Sequence, residues 1–229
     1  MQTLKKNKQK KRNYSLYWQF FMLFNHLLNK YILLNMSNLA IFVSGSGSNA
    51  ENIYKYFNNN DEINVKLFCS NNAKAYAIER SKKLGIDCFI FNREEYKDEK
   101  IILEKLSAYN IDFIILAGYL WLIPTWLIKS FTDKIINIHP ALLPKYGGKG
   151  MYGMNVHNAV IDNKETESGI TIHLVNENYD EGKIIYQAKC RIEPGDNAEL
   201  LAQKVHKLEY EYFPKVIEKY ITGFIEGKL

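Results

Sequence analysis

The chain has 229 residues, of which 47% are hydrophobic and 24% charged, and its formal net charge is +5. This length suits one domain with a sizeable core, with or without an appendage. The positive charge is concentrated at the start, because residues 1–35 carry seven lysines and arginines and no acidic residue, which leaves 23 basic against 25 acidic residues in 36–229. Bulk charge therefore gives no support for nucleic-acid binding.

Residues 1–35 predict an extension outside the fold. A basic run, KKNKQKKRN, precedes an apolar stretch, LYWQFFMLFNHLLNKYILL, that polar residues interrupt. This stretch is too interrupted for a convincing membrane-spanning helix, and it lacks the small-residue cleavage site of a signal peptide. An interfacial helix or a targeting segment remains an alternative. Met36 opens MSNLAIFVSGSGSN like a natural start, so we expect the functional domain to cover 36–229.

Five short apolar runs alternate with stretches of helical length. They are rich in Ile, Val and Phe, as buried strands are. The runs cover 39–43, 63–68, 87–91, 113–117 and 134–138. This succession predicts an α/β fold, a Rossmann-like and mostly parallel sheet with helices on both faces.

The stretch SGSGSN, residues 44–49, lies between the first strand and a helix. Its glycines would let the backbone approach a ligand, and the amides of Gly47, Ser48 and Asn49 would point from the helix N-terminus toward an anion such as phosphate. The same sequence is also an ordinary strand-to-helix turn, so it does not decide the matter alone. An NAD site is not favoured, because Ala50 stands where GxGxxG needs its third glycine.

A histidine ends the fifth strand, in KIINIHPALLPKYGG. Asn137 has the same strand parity as His139, so both side chains point to one side. A lone histidine there is often a satisfied core residue, but ligands gather at the carboxyl edge of a parallel sheet. An amide beside an imidazole would supply two donors to a developing oxyanion, as acyl transfer requires.

The stretch GITIHLVNENYDEGKII, residues 169–185, predicts a strand followed by a polar turn. Thr171, His173 and Val175 share one face of that strand. Asp180 in the turn has an ordinary explanation in turn chemistry. As the partner of His139, it would instead hold the imidazolium and raise the pKa of that ring.

The last third of the chain changes character. KIIYQAKCRI alternates apolar and polar residues, which predicts a strand that is antiparallel or near an edge of the sheet. Asp196 and Glu199 have capping-box spacing and predict the start of a long helix. Pro214 is expected to kink or interrupt that helix.

Together these motifs make the chain resemble the phosphoribosylglycinamide formyltransferase family over residues 38–228. The resemblance rests on SGSGSN, LAGYLWLIP, INIHPALLPKY and the Asp before EGKII, in the family's order. It implies that 36–229 is a catalytic domain of the formyltransferase fold. The implied reaction moves the formyl group of 10-formyltetrahydrofolate to the glycine amine of 5′-phosphoribosylglycinamide, in de novo purine synthesis.

The resemblance also implies roles for the reacting centre and the ribonucleotide. Asn137 and a protonated His139 would stabilise the oxyanion, while Asp180 would support His139 and help protons move through water. The ribonucleotide would be bound by the backbone of the phosphate loop and by residues of the last helix: Gly47, Ser48, Asn49, His206 and Glu209.

The folate would bind at the other side of the centre. The implied contacts are the 176–180 turn, Asn137, and the segment Leu120, Trp121, Leu122 and Ile123, with Arg93 at the glutamate tail. Trp121 stands where some members carry an arginine for that tail, and it could simply pack. His206 stands where some members carry glutamine, and it could be a surface residue. The loop 146–155 is longer than expected and could form a mobile cover.

Rival functions are less well supported. Methionyl-tRNA formyltransferase would add a C-terminal tRNA-binding domain, formyltetrahydrofolate hydrolase would add a regulatory domain ahead of the sheet, and a non-catalytic nucleotide-binding module would not need the trio. No metal is implied, because His139, His157 and His173 lack close ligand spacing. Cys69, Cys88 and Cys190 are widely spaced, which favours a reducing, cytoplasmic setting. We expect small-molecule partners, with no nucleic acid and no membrane for the domain, and the oligomeric state stays open.

Overall fold

The computed structural model describes residues 36–228. The predictions for residues 1–35 lie outside the described residues and stay predictions. Seven strands are found in the described part: β1 (Ser37–Val43), β2 (Ile63–Ser70), β3 (Asp87–Ile90), β4 (Phe113–Leu116), β5 (Ile135–His139), β6 (Glu167–Leu174) and β7 (Ile184–Arg191). The helices there are α1 (Ser48–Phe57), α2 (Tyr76–Leu84), α3 (Arg93–Lys97), α4 (Glu99–Ala108), α5 (Thr125–Ser130), α6 (Met154–Asp162) and α7 (Ala198–Ile225).

The strands form one sheet in the order β3-β2-β1-β4-β5-β6-β7. The first five are parallel to one another, while β6 pairs antiparallel with β5 and with β7. The predicted mostly parallel sheet, its five parallel strands and the antiparallel edge strand β7 are all confirmed. The strand order reverses between β1 and β4, which is where open α/β sheets bind ligands beyond the carboxyl ends of their strands.

Apolar side chains on both faces of the sheet bury the strands. Along β1, Leu39 and Ile41 pack on one face with α1, α6 and α7, whereas Ala40 and Phe42 pack on the other with α3, α4 and α5. All four side chains are fully buried. Burial on both faces explains why the parallel strands read as continuous apolar runs in the sequence.

The last helix differs from its prediction in two ways. It is capped by the side chain of Asn197, which accepts a hydrogen bond from the Leu200 amide, so the predicted capping box of Asp196 and Glu199 is wrong by one residue. The helix also continues through Pro214, so the predicted interruption is absent, while the alternative of a kink stays a prediction. Proline removes the donor for the carbonyl four residues earlier, and that carbonyl, of Tyr210, accepts a hydrogen bond from Asn52 of α1 at 3.0 Å. A neighbouring helix therefore supplies the missing donor.

Within residues 36–228, no helix combines the length and the apolar character that a membrane span requires.

Candidate active site

A cleft of about 590 Å³ opens at the carboxyl edge of the sheet. Its floor comes from the segments that follow β1 and β4, together with Asn137 and His139 on β5. The loop 148–153, the turn at Asp180 and one side of α7 form its walls. The structure therefore brings the phosphate loop and all three predicted catalytic residues into one cleft.

His139 is held between a backbone carbonyl and a carboxylate. Its Nε2 lies 2.7 Å from the Tyr146 carbonyl oxygen, and its Nδ1 lies 3.4 Å from Oδ2 of Asp180. A carbonyl only accepts hydrogen bonds, so Nε2 must carry a hydrogen and donate a hydrogen bond to the Tyr146 carbonyl. In the neutral ring, Nδ1 is then the unprotonated nitrogen and faces Asp180. The Gly148 amide holds the same Oδ2 at 2.9 Å.

His173, to which the sequence assigned no role, orients Asn137. The two residues are directly paired across β5 and β6. The His173 Nδ1 lies 2.8 Å from the Leu174 carbonyl oxygen and must donate to it, so Nε2 of the neutral ring accepts. The Asn137 amide nitrogen donates to that Nε2 at 3.0 Å, and it makes a longer contact of 3.4 Å with Oδ1 of Asp180. The second amide hydrogen of Asn137 is thus only weakly engaged.

Burial and neighbouring polar groups act in opposite directions on the protonation of His139 and of Asp180. His139 is 3% exposed, and its burial lowers the pKa of the imidazole below the ordinary value, although Asp180 and the Tyr146 carbonyl act in the opposite direction. Burial also disfavours the charged form of Asp180, but the nearby rings of His173 and His139 and the Gly148 amide together lower the pKa of this carboxyl. In the free cleft desolvation outweighs the attraction of Asp180 and disfavours the protonated ring, and the expectation that a protonated His139 stabilises the oxyanion stays a prediction.

The phosphate loop ends at the N-terminus of α1. The N-cap residue, Gly47, supplies no side-chain hydrogen bond to the first turn. Its φ of 73° lies in the left-handed region, and a Cβ there would come within 2.6 Å of Cβ of Ala77. Glycine is therefore required at position 47 for the fold itself. The positive end of the α1 dipole and the amides of its first turn face the cleft, an arrangement suited to an anion.

Glu209 anchors the same end of the cleft. It is 5% exposed, and its Oε2 accepts from the side-chain amide of Asn49 at 2.8 Å and lies 2.7 Å from Nδ1 of His206. This hydrogen bond raises the pKa of His206 above the ordinary value. His206 lines the cleft, which supports its predicted place near the substrate over a purely surface role.

The predicted folate residues are brought together only in part. Leu120 lines the cleft and is exposed, Ile123 lies in the core, and Leu122 is exposed outside the lining. Trp121 packs on the aromatic cluster beside Tyr96. Arg93 lies outside the lining as well, with its guanidinium 4.8 Å from the centre of the Trp121 ring.

Three residues of the lining each have a buried polar atom without a hydrogen-bond partner within residues 36–228. The atoms are Oδ1 of Asn49, the hydroxyl oxygen of Tyr119 and Nδ1 of His157. His157, on α6, is 4% exposed and was not assigned to a site from the sequence. Its burial lowers the pKa of its ring. An unpaired buried polar group is costly. A ligand with hydroxyl or amide groups would therefore bind favourably here, because it would form hydrogen bonds to these atoms.

Between residues 36 and 228, no three His, Cys, Asp or Glu side chains are arranged to hold a metal ion.

Comparison with known proteins gives one consistent family. A family model described as formyl transferase matches residues 37–217. A phosphoribosylglycinamide formyltransferase of Arabidopsis thaliana, described as chloroplastic, is 38% identical over 199 residues, covering 82% of this chain and 68% of the relative. A phosphoribosylglycinamide formyltransferase of Haemophilus influenzae is 35% identical over 200 residues, covering 85% of this chain and 90% of the relative. The crystal structure of glycinamide ribonucleotide transformylase 1 from Symbiobacterium toebii superposes with a TM-score of 0.75 at 29% identity, covering 82% of this chain and 89% of that one.

Proposed function

This chain belongs to the formyl transferase family, and we propose that it transfers the formyl group of 10-formyltetrahydrofolate to the glycine amine of 5′-phosphoribosylglycinamide. The products are formylglycinamide ribonucleotide and tetrahydrofolate, in de novo purine synthesis. The observation that carries this proposal is the meeting of Asn137, His139 and Asp180 with the phosphate loop in one cleft. An oxyanion site beside an anion site suits acyl transfer to a phosphorylated amine.

The chemical step uses donors already in place. The neutral amine attacks the formyl carbon, and the carbonyl oxygen becomes an oxyanion. The weakly engaged amide hydrogen of Asn137 turns to that oxygen. The amine nitrogen then loses one proton and N10 of the folate gains one as the carbon–nitrogen bond to N10 breaks, so the transfer consumes no net proton and needs no covalent enzyme intermediate.

His139 responds to the charge that develops in this step. In the free cleft the ring is neutral, with Nδ1 unprotonated and directed at Asp180. A new negative charge beside the ring favours its protonated form. A proton taken up at Nδ1 is shared between Asp180 and the oxyanion, while the Tyr146 carbonyl keeps Nε2 fixed. The ring thus supplies a charge when the transition state needs it.

The two substrates occupy opposite sides of this centre. The ribonucleotide phosphate binds the amides of Gly47, Ser48 and Asn49, and its ribose hydroxyls bind Glu209, near His206. The folate ring binds along the 120–123 segment and the 176–180 turn. Arg93, stacked on Trp121, meets the glutamate tail where it leaves the cleft.

A formyl-transfer assay with glycinamide ribonucleotide, followed by folate absorbance, tests the function. We expect formation of tetrahydrofolate that requires the ribonucleotide. Consumption of the formyl folate without the ribonucleotide would favour a hydrolase. Transfer to initiator methionyl-tRNA alone would favour the tRNA enzyme, and binding of the ribonucleotide with no turnover would favour a non-catalytic module.

We also propose that the enzyme works in the cytoplasm. The three cysteines of the described residues are free, as expected for a reducing compartment. Fractionation of the source cells with an antibody to the chain tests this, and recovery in an organelle would contradict it.

A further inference from the structure

The cleft has a charge imbalance for a doubly anionic substrate. Among the described residues that line it there is one lysine, Lys149, and no arginine, whereas two carboxylates, Asp180 and Glu209, contribute negative charge. We propose that Lys149 binds the phosphate of the ribonucleotide and brings the loop 148–153 over it. This inference rests on the proposed function and adds a residue that the family resemblance did not point to.

The phosphate loop itself supplies little positive charge. A helix N-terminus is equivalent to roughly half an elementary charge, whereas a phosphate monoester carries up to two negative charges near neutral pH. Arg80 donates to the Ser46 carbonyl but is paired with Glu51 and lies outside the lining. His206, when protonated, is half of a neutral pair with Glu209. A cation elsewhere in the cleft would therefore strengthen the binding of the phosphate.

Lys149 is free to provide that cation. Its side chain is exposed, and it forms no ion pair or hydrogen bond with any side chain among residues 36–228. The other lysine of this loop region, Lys145, is held by Glu165 at 2.8 Å and lies outside the cleft. An exposed lysine of the lining that has no ion-pair partner is available to bind an anion.

The loop around Lys149 is shaped for this placement. The flanking residues, Gly148 and Gly150, have φ values of 95° and 92°, and an added Cβ at either would meet no atom within 4 Å. The backbone conformation, not lack of space, therefore requires glycine at both positions. The Gly148 amide fixes one end of the loop to Asp180. The other end leads into α6, which carries His157 toward the Glu209 side of the cleft. This direction favours the ribonucleotide phosphate over the folate tail.

The proposal is tested by a comparison of two ligands that differ only in the phosphate. We would measure the binding of glycinamide ribonucleotide and of its dephosphorylated riboside to the full chain by calorimetry, for the wild type, Lys149→Met and the matched control Lys145→Met. A hydrogen bond to a charged group contributes about 1.5–3 kcal/mol, so Lys149→Met should weaken ribonucleotide binding by about 10- to 100-fold. Riboside binding, the Michaelis constant for the folate and the melting temperature should be unchanged, and Lys145→Met should resemble the wild type.

Three outcomes would overturn the assignment of Lys149. These are an equal loss of affinity for ribonucleotide and riboside, unchanged affinity for both, and a rise confined to the Michaelis constant for the folate, which would assign Lys149 to the glutamate tail. Failure of the wild type to bind the ribonucleotide would instead reject the proposed function, so the two failures are distinguishable.

Discussion

The two ends of the cleft treat their polar groups in opposite ways. At the catalytic end, His173 and Asp180 each use both of their polar side-chain atoms in hydrogen bonds within the protein, and His139 donates to the Tyr146 carbonyl while its Nδ1 faces Asp180. At the ribonucleotide end, Asn49 and His157 each keep one buried polar atom without a partner among the described residues. The catalytic end makes its hydrogen bonds within the protein, whereas the ribonucleotide end leaves hydrogen-bonding atoms for its ligand.

The difference follows from what each end must do. A group that stabilises a transition state has to be in position before the charge appears, because reorganisation during the reaction costs energy. A group that binds substrate gains most when it has no better partner in the free protein, because pairing removes the cost of an unsatisfied buried group. Substitutions at the catalytic end should therefore lower turnover, and those at the ribonucleotide end should raise the Michaelis constant of one substrate.

The largest effect is expected at His139. Replacement by alanine should lower turnover about 100- to 1,000-fold, as for loss of an oxyanion donor, with little change in the Michaelis constants. Single-turnover rates and thermal unfolding measure the two properties separately. A destabilised protein with near-normal rates would show that His139 is a packed core residue. The distinction between the two ends of the cleft would then be wrong.

Asp180→Asn should lower turnover by about 100-fold, because the proton at Nδ1 of His139 loses its carboxylate partner. The same substitution should lower the pKa of His139 further below its ordinary value, since the Asp180 carboxylate of the wild type favours the charged ring. NMR titration of His139 measures that change. The double variant His139→Ala, Asp180→Asn should be scarcely slower than the worse single variant, because the residues act as a unit. Additive losses would mean that they act independently.

Gly47→Ala tests whether the ribonucleotide end has a structural component. The left-handed φ and the short distance to Ala77 should cost about 1–3 kcal/mol of unfolding free energy, measured by urea unfolding. Gly45→Ala is the matched control in the same loop, because an added Cβ at Gly45 meets no atom within 4 Å. Equal stability of the two variants would show that Gly47 is retained for ligand approach alone.

Glu209→Gln should raise the Michaelis constant for the ribonucleotide about tenfold, the lower range for a hydrogen bond to a charged group. Glutamine preserves the shape of the buried side chain, so folding should be little affected. Steady-state kinetics with each substrate varied in turn measure the effect. A fall in turnover with unchanged Michaelis constants would place Glu209 at the catalytic end and remove the contrast between the ends.

Local sequence patterns predicted most of the fold and part of the site. The parallel strands, the phosphate loop and the strand parity of Asn137 and His139 depend on a few contiguous residues, so they could be inferred without contacts. His173 could not be inferred, because its role comes from the register that pairs it with Asn137 across two strands. Aligning the two segments as antiparallel neighbours in this register would have placed His173 opposite Asn137.

Quantities that depend on distant neighbours were also out of reach. The Tyr146 carbonyl sets the tautomer of His139, but a backbone oxygen has no signature in a sequence. The direction of the His139 pKa depends on a sum of burial and charge that only the packed structure supplies. Pro214 continues its helix because Asn52, from another helix, supplies the hydrogen bond that proline removes.

The smallest expected effect concerns His206 at the ribonucleotide end. Its pKa is raised by the hydrogen bond to Glu209, so the folded state binds the proton more tightly than the unfolded chain does. This contribution to stability is fully present below the ordinary histidine pKa of about 6.5 and is lost as the pH rises through the raised value. Because the His206 side chain is 52% exposed, solvent screening should limit this contribution to a few tenths of a kcal/mol.

Urea unfolding should therefore show that His206→Asn loses more unfolding free energy, relative to the wild type, at pH 5.5 than at pH 8.5. Burial lowers the pKa of His139 and His157, and both histidines are present in both proteins, so this effect of burial cancels in the difference. The charge of His206 also lowers the pKa of His157, so a small part of the His157 titration stays in the difference. A deficit that does not change with pH would mean that Glu209 and His206 are not coupled in the free protein and that the hydrogen bond forms only around the substrate.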